Sequence, residues 1–289
     1  MATETVHAAP PLPPPRWAIG AIYLGLIVLA EILIAVPDPS KSGVYPYQQY
    51  GLTIHILLVF ALLFHSVTIQ EKDTELSLFL MALSLAPLIR IFSLSMPRFW
   101  GAEPIHTLPW LAVVGIPLLT AAGAVAYVQQ LPPWLLGLGF RSWREMALQF
   151  TIGLTGIPLG LIEYTILRQY PWISGDTIVP VLAGGVVIFF STGLAEEVIF
   201  RGILLRRAME MLGNRTGILF VTLVFSAMHI FFLNGYDLTF VFFVGLFFAL
   251  VVVKTKSLWG AIMSHTLGNV VLYLIAPFLL ASWLPPLRP

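Results

Sequence analysis

The chain contains no cysteine. That excludes disulfides, thiol catalysis and thiolate metal sites, and it says nothing about compartment. Charge is also scarce. Asp, Glu, Lys and Arg make up only 10% of the 289 residues, against about 25% in ordinary soluble domains. The formal net charge is +1, so no basic field invites a nucleic acid, and no nucleic-acid partner is expected. Apolar surface is what the chain has in excess. Hydrophobic residues are 58% of it, and the mean hydropathy is +0.90. A soluble fold of this length could not hide so much apolar area, whereas a bilayer can. Membrane lipids are therefore the first expected partner.

Residues 1–16 read as a disordered, Pro-rich tail, with prolines crowding Ala8 to Arg16. Such a segment stays extended and solvated. It lacks the charged start and small-residue cleavage site of a signal peptide, so the first apolar run is expected to remain as an anchor.

A helix needs roughly 20 apolar residues to cross the hydrocarbon. About nine such runs follow, near Trp17–Val36, Gln49–Ile69, Glu75–Met96, Thr107–Tyr127, Trp143–Leu167, Ile178–Leu205, Thr216–Phe232, Leu238–Val253 and Leu258–Trp283. The runs are far longer than the roughly ten residues of a barrel strand. The expected fold is an all-α polytopic transmembrane helical bundle of eight or nine helices. With nine spans, Arg16, Lys72, Arg141, Arg144, Arg206, Arg207, Arg215, Lys254 and Lys256 fall on one side, and Lys41, Arg98, Arg168 and Arg288 on the other. The richer side is expected to be cytoplasmic, with the N-terminus inside a cytoplasmic (inner) membrane.

Ionisable groups inside spans are costly, so each needs a reason. Glu31, Arg90 and Glu163 lie one to two turns from the outer helix ends. Interhelical ion pairing with snorkelling is the favoured reading for them, with a substrate role as the alternative. His55 and His65 read as hydrogen-bonded or interfacial histidines.

The C-terminal half differs. The sixth run holds Glu196, Glu197 and Arg201 in A-E-E-V-I-F-R-G, the seventh ends F-S-A-M-H at His229, and the ninth carries His265 and Asn269 in S-H-T-L-G-N. Glu197 and Arg201 share a helix face and can pair, and so do His265 and Asn269 share one. Counted from the inner helix ends, Glu196 lies about 15 Å deep, His229 about 20 Å, His265 about 11 Å and Asn269 about 17 Å. Three helices thus bring their most polar residues to similar depths.

A mid-membrane carboxylate needs a partner or water to ionise. Glu196, tuned by such neighbours, is a candidate general base. His229 could share its proton and orient a water. His265 and the Asn269 amide could stabilise an oxyanion. Three other readings of the same residues stand beside this one: a buried polar network that joins helices, an ion or proton pathway, and a catalytic zinc held by Glu196, His229 and His265 with an open fourth position. The zinc reading lacks an H-E-x-x-H pair and needs another base, such as Glu197.

The motifs E-E-V-I-F-R-G, F-S-A-M-H and H-T-L-G-N resemble the E-E-x-x-x-R, F-x-x-x-H and H-x-x-x-N/B series of the CAAX protease and bacteriocin-processing (CPBP/Abi) family, which includes type II CAAX prenyl endopeptidases. The resemblance runs from about Gly137 to Val271, and L-G-L-G-F-R before the fifth helix is similar to that family's short leading segment. It implies an intramembrane glutamate endopeptidase with a conical polar active-site cavity. By position, Glu196 corresponds to the water-activating glutamate, His229 to its assisting histidine, and His265 and Asn269 to the oxyanion pair. Glu197 and Arg201 correspond to supporting residues. No metal is expected, because Asn269 is a poor zinc ligand and a good amide donor. The resemblance divides the chain into the tail, N-terminal helices one to four over residues 17–136, and a catalytic membrane domain over residues 137–289. The expected substrate is a membrane-associated or lipidated peptide or protein. The competing functional class is a noncatalytic scaffold or a bacteriocin-immunity protein.

Overall fold

The computed structural model describes residues 15–285 except 42, 97, 98, 101, 102, 105, 140, 141 and 176. The Pro-rich tail up to residue 14, and Arg98, Arg141 and Arg288, lie outside the described residues. Arg16 does not belong to the tail. It begins the first helix, and its guanidinium donates to Asp73 at 2.8 Å and to Glu75 at 2.6 Å, both beyond the second helix.

Among the described residues, nine helices are long and apolar enough to cross a membrane. They are α1 (Arg16–Ala35), α2 (Gln48–Ile69), α3 (Thr74–Ser95), α4 (Thr107–Val128), α5 (Trp143–Leu167), α6 (Ile178–Leu212), α7 (Asn214–Phe232), α8 (Gly235–Thr255) and α9 (Trp259–Leu279). The fold is thus helical throughout its spans, and the count is nine. A two-residue ladder, β1 (Phe99–Trp100) against β2 (Glu103–Pro104), sits in the α3–α4 connector.

The largest shift of a boundary is at α6, which runs past Leu205 to Leu212. Its last turns are held from the side: Arg207 donates to Glu210 at 2.6 Å and to the Gln129 side chain at 2.8 Å. Gly213, at φ 82°, then turns the chain directly into α7, a backbone state that costs glycine little.

Prolines set the irregularities. Pro87 offers no N–H to the Leu83 carbonyl, and α3 is interrupted at Ser84. Pro158 does the same to Leu154, and α5 is interrupted at Thr155. Pro277 frees the Tyr273 carbonyl in α9. That carbonyl accepts the Trp172 N–H at 3.1 Å, and the two rings stack with centroids 3.6 Å apart. Wide π turns occupy Phe189–Leu194 and Val198–Leu204 in α6 and Val271–Ile275 in α9. Such turns concentrate at functional sites, and here they flank Glu196 and Glu197 and follow Asn269.

Small residues bring α5 onto α9. The run Gly156-Ile-Pro-Leu-Gly160 is a G-x-x-x-G pattern, which lets helix backbones approach closely in a bilayer. A Cβ on Gly156 would strike the Ser264 carbonyl, and one on Gly160 the Gly268 carbonyl. One apolar cluster runs through α1–α4 and α6–α9, with Phe79, Leu80, Ile199 and Leu204 at or near zero exposure. A second joins Leu108, Tyr164, Ile188 and Leu272 from α4, α5, α6 and α9.

Candidate active site

His229, His265 and Asn269 line one cavity, and Glu196, which does not line it, stands beside His265. Arg201 sits one turn below Glu197 on α6 and donates from Nη1 to Glu197 Oε1 at 2.8 Å. The expected pair therefore forms, with Glu197 fully buried and Arg201 nearly so. Its setting is aromatic: the guanidinium lies 4.1 Å from the Phe225 ring centroid, a cation–π distance. Its Nη2 also donates to the Gly245 carbonyl at 3.3 Å. Glu197 Oε1 has a second partner that spacing did not disclose. His265 Nδ1 lies 2.9 Å from the same oxygen. With Nδ1–H donated to the carboxylate, His265 Nε2 points the other way, and it stands 4.0 Å from Glu196 Oε2. Arg201, Glu197, His265 and Glu196 thus form one line across α6 and α9.

His229 follows the last α-helical residue of α7, Ala227, in the turn at 228–229. Its Nδ1 lies 2.9 Å from the Phe225 carbonyl. Donation there fixes the tautomer and leaves Nε2 with its lone pair. Phe225 contacts both histidines, with ring centroids 4.8 Å from His229 and 6.2 Å from His265. Asn269 is oriented by a chain of donors. Its Nδ2 donates to Thr192 Oγ1 at 3.1 Å, and Thr192 donates onward to the Ile188 carbonyl at 2.8 Å. One amide hydrogen is occupied by Thr192, and among the described residues the second has no acceptor.

A cavity of about 40 Å³ is walled by His229, His265, Asn269, Glu163, Phe225 and Phe248, among others. That is room for water, which needs roughly 10–15 Å³ by this measure. Glu163 was not expected in this company. Glu31 and Arg90 do pair as the sequence suggested, at 2.9 Å, but among the described residues Glu163 has no hydrogen-bond or ion-pair partner. The G-x-x-x-G run just before it was the available signal: it presses this face of α5 onto α9 beside Asn269. Thr192 was also missed, since a threonine in an apolar run carries no signal of its own.

His55 and His65 behave as structural histidines. His55 Nε2 lies 3.2 Å from Glu31 Oε1, and His65 Nδ1 lies 3.1 Å from the Tyr23 hydroxyl. Zinc would need Glu196, His229 and His265 to converge. Among the described residues, no three His, Asp or Glu side chains form a group that could hold a metal ion.

No curated protein and no solved structure matches the chain. The family comparison does find a match, and its extent is narrower than the resemblance read from the motifs: it begins at the first residue of α6 and takes in Glu196, His229, His265 and Asn269, but not α5. Residues 178–271 match the Rce1-like family, described as type II CAAX prenyl endopeptidase Rce1-like, and this supports the chain's place among the CAAX-protease-type membrane proteins.

Proposed function

We propose that the protein is an intramembrane endopeptidase that hydrolyses a peptide bond of a membrane-associated or lipidated protein or peptide. Hydrolysis of a peptide carbonyl requires a base, a water and a stabiliser for the oxyanion. In this reading a water lies between Glu196 and the cavity wall; Glu196 takes one of its protons, and the lone pair on His229 Nε2 accepts its other hydrogen. The oxyanion that develops on the carbonyl meets the second amide hydrogen of Asn269 and the ring of His265. Imidazolium at His265 would be stabilised by Glu197, whose own charge is offset by Arg201. The proton on Glu196 then passes to the departing amine. The cavity beside the water is expected to open into the conical polar shape the resemblance implies.

The observation that carries this reading is the line Arg201–Glu197–His265–Glu196, with 2.8 Å, 2.9 Å and 4.0 Å between successive members. A merely structural pair would have no use for a histidine whose second nitrogen faces another carboxylate. No metal enters the proposed steps, and our reading of the Lys and Arg distribution is an N-terminus inside a cytoplasmic (inner) membrane.

The test compares peptide termini in membranes of cells carrying wild-type protein or Glu196→Gln at equal abundance. New termini found only with the wild type are expected, and they would identify the substrate. Identical termini, with the cellular phenotype still rescued by Glu196→Gln, would favour a noncatalytic scaffold instead.

A further inference from the structure

The acidic groups around the cavity are not balanced. Glu31 has Arg90 and Glu197 has Arg201, each within 2.9 Å. Glu163 has no such partner, yet it forms part of the wall of the cavity that His265 and Asn269 also line. Among the described residues, the ionisable groups near enough to interact with it include Asp237, Glu196, His265 and Tyr273. Asp237 is fully buried, and neither of its carboxylate oxygens has a hydrogen-bond partner. Three carboxylates therefore bear on this region, and among the described residues no Lys or Arg lines the cavity, whose basic groups are the two histidines His229 and His265. An in-span carboxylate without a cation is a marker of function, and its field favours a positive guest.

We propose that Glu163 binds a primary ammonium group of the peptide substrate. This rests on the protease reading for the word substrate, and on Glu163 and the cavity for the rest. A single carboxylate suits a compact ammonium head with three donors, and a cavity of about 40 Å³ has room for one. The remaining wall suits its stem: Leu159, Phe240 and Val244 are apolar. The ammonium has two sources in a peptide, the N-terminal α-amine and a lysine side chain.

The proposal can be tested by binding, without turnover. The probes are apolar decapeptides labelled at the C-terminus, carrying lysine or its isostere norleucine at successive positions, each with a free or acetylated N-terminus. They are titrated against the full-length Glu196→Gln protein in detergent micelles. One ammonium-bearing peptide is expected to bind about tenfold or more tightly than its neutral counterpart. Adding Glu163→Gln is expected to erase that preference, and Glu163→Asp to retain part of it, at an unchanged melting temperature. Loss on acetylation would assign the α-amine, and loss on the norleucine exchange would assign lysine. A preference that survives Glu163→Gln, or a series in which no ammonium peptide is preferred, overturns the proposal. Hydrolysis of the same peptides by the protein with Glu196 restored is a separate readout. Its absence would count against the protease and leave the binding result standing.

Discussion

Arg90 donates to the backbone carbonyl of Met228 at 2.7 Å, one residue before His229. The same guanidinium holds the buried Glu31 through Nε at 2.9 Å and Nη2 at 2.8 Å. A single side chain on α3 thus ties the carboxylate of α1 to the turn that carries a candidate catalytic histidine. The Met228 carbonyl lies at the C-terminal end of the α-helical part of α7, where acceptors lack intrahelical partners and a cation is favourable.

Arg90→Ala leaves Glu31 buried without its counter-charge, at a cost of about 3–5 kcal/mol, and is expected to lower the melting temperature sharply. Arg90→Lys is more informative. A lysine keeps a charge for Glu31 but lacks the fork that also reaches Met228. It is expected to keep most of the melting temperature and lose activity about tenfold. Parallel thermal melts and peptide hydrolysis would check this, and full activity in Arg90→Lys would end the positioning role.

His265→Ala is expected to reduce turnover by about 10²–10³ if the ring stabilises an oxyanion. Metal content of the purified protein is the companion measurement. The zinc alternative requires stoichiometric zinc that is lost in His229→Ala; a fully active protein free of zinc would rule it out.

Thr192→Val removes the acceptor that orients the Asn269 amide without changing side-chain volume much. The expected loss is about tenfold in turnover, the worth of one hydrogen bond, with substrate binding little changed. Thr192→Ser retains the hydroxyl and is expected to restore the rate. Equal rates for valine and serine would show that Asn269 needs no such support.

Gly160→Ala drives a methyl into the Gly268 carbonyl. A forced contact of this kind costs about 1–3 kcal/mol, so a lower melting temperature and reduced activity are expected together. Gly25→Ala is the control, because a Cβ there meets nothing within 4 Å.

Much of this architecture was legible because a bilayer imposes a coarse and strong code. Length and hydropathy alone mark the spans, and helical spacing puts Glu197 beside Arg201. What the spacing could not supply was rotation about each helix axis. Glu163 and Glu31 looked alike in sequence, each a lone acid near an outer helix end. Packing separates them: Glu31 turns toward Arg90, and Glu163 turns toward the cavity. The bond from His265 reaches Glu197 between two π turns of α6, and no propensity rule forecasts such turns. The end of α6 was misread for a simpler reason. Arg206 and Arg207 look like a boundary, but Gln129 and Glu210 hold Arg207 within a continuing helix.

The apolar cluster that links α1–α4 with α6–α9 separates what is recognisable in this chain from what can stand alone. A fragment cut to residues 178–271 would keep the segment that the family comparison matches. It would lose Arg90, Glu31, Glu163 and the glycine seam of α5, and it would expose side chains such as Ile199 and Leu204 that α3 and its neighbours now cover. The diagnostic segment is therefore a signature carried by a larger folding unit, and the N-terminal helices are structural members of the candidate catalytic machine.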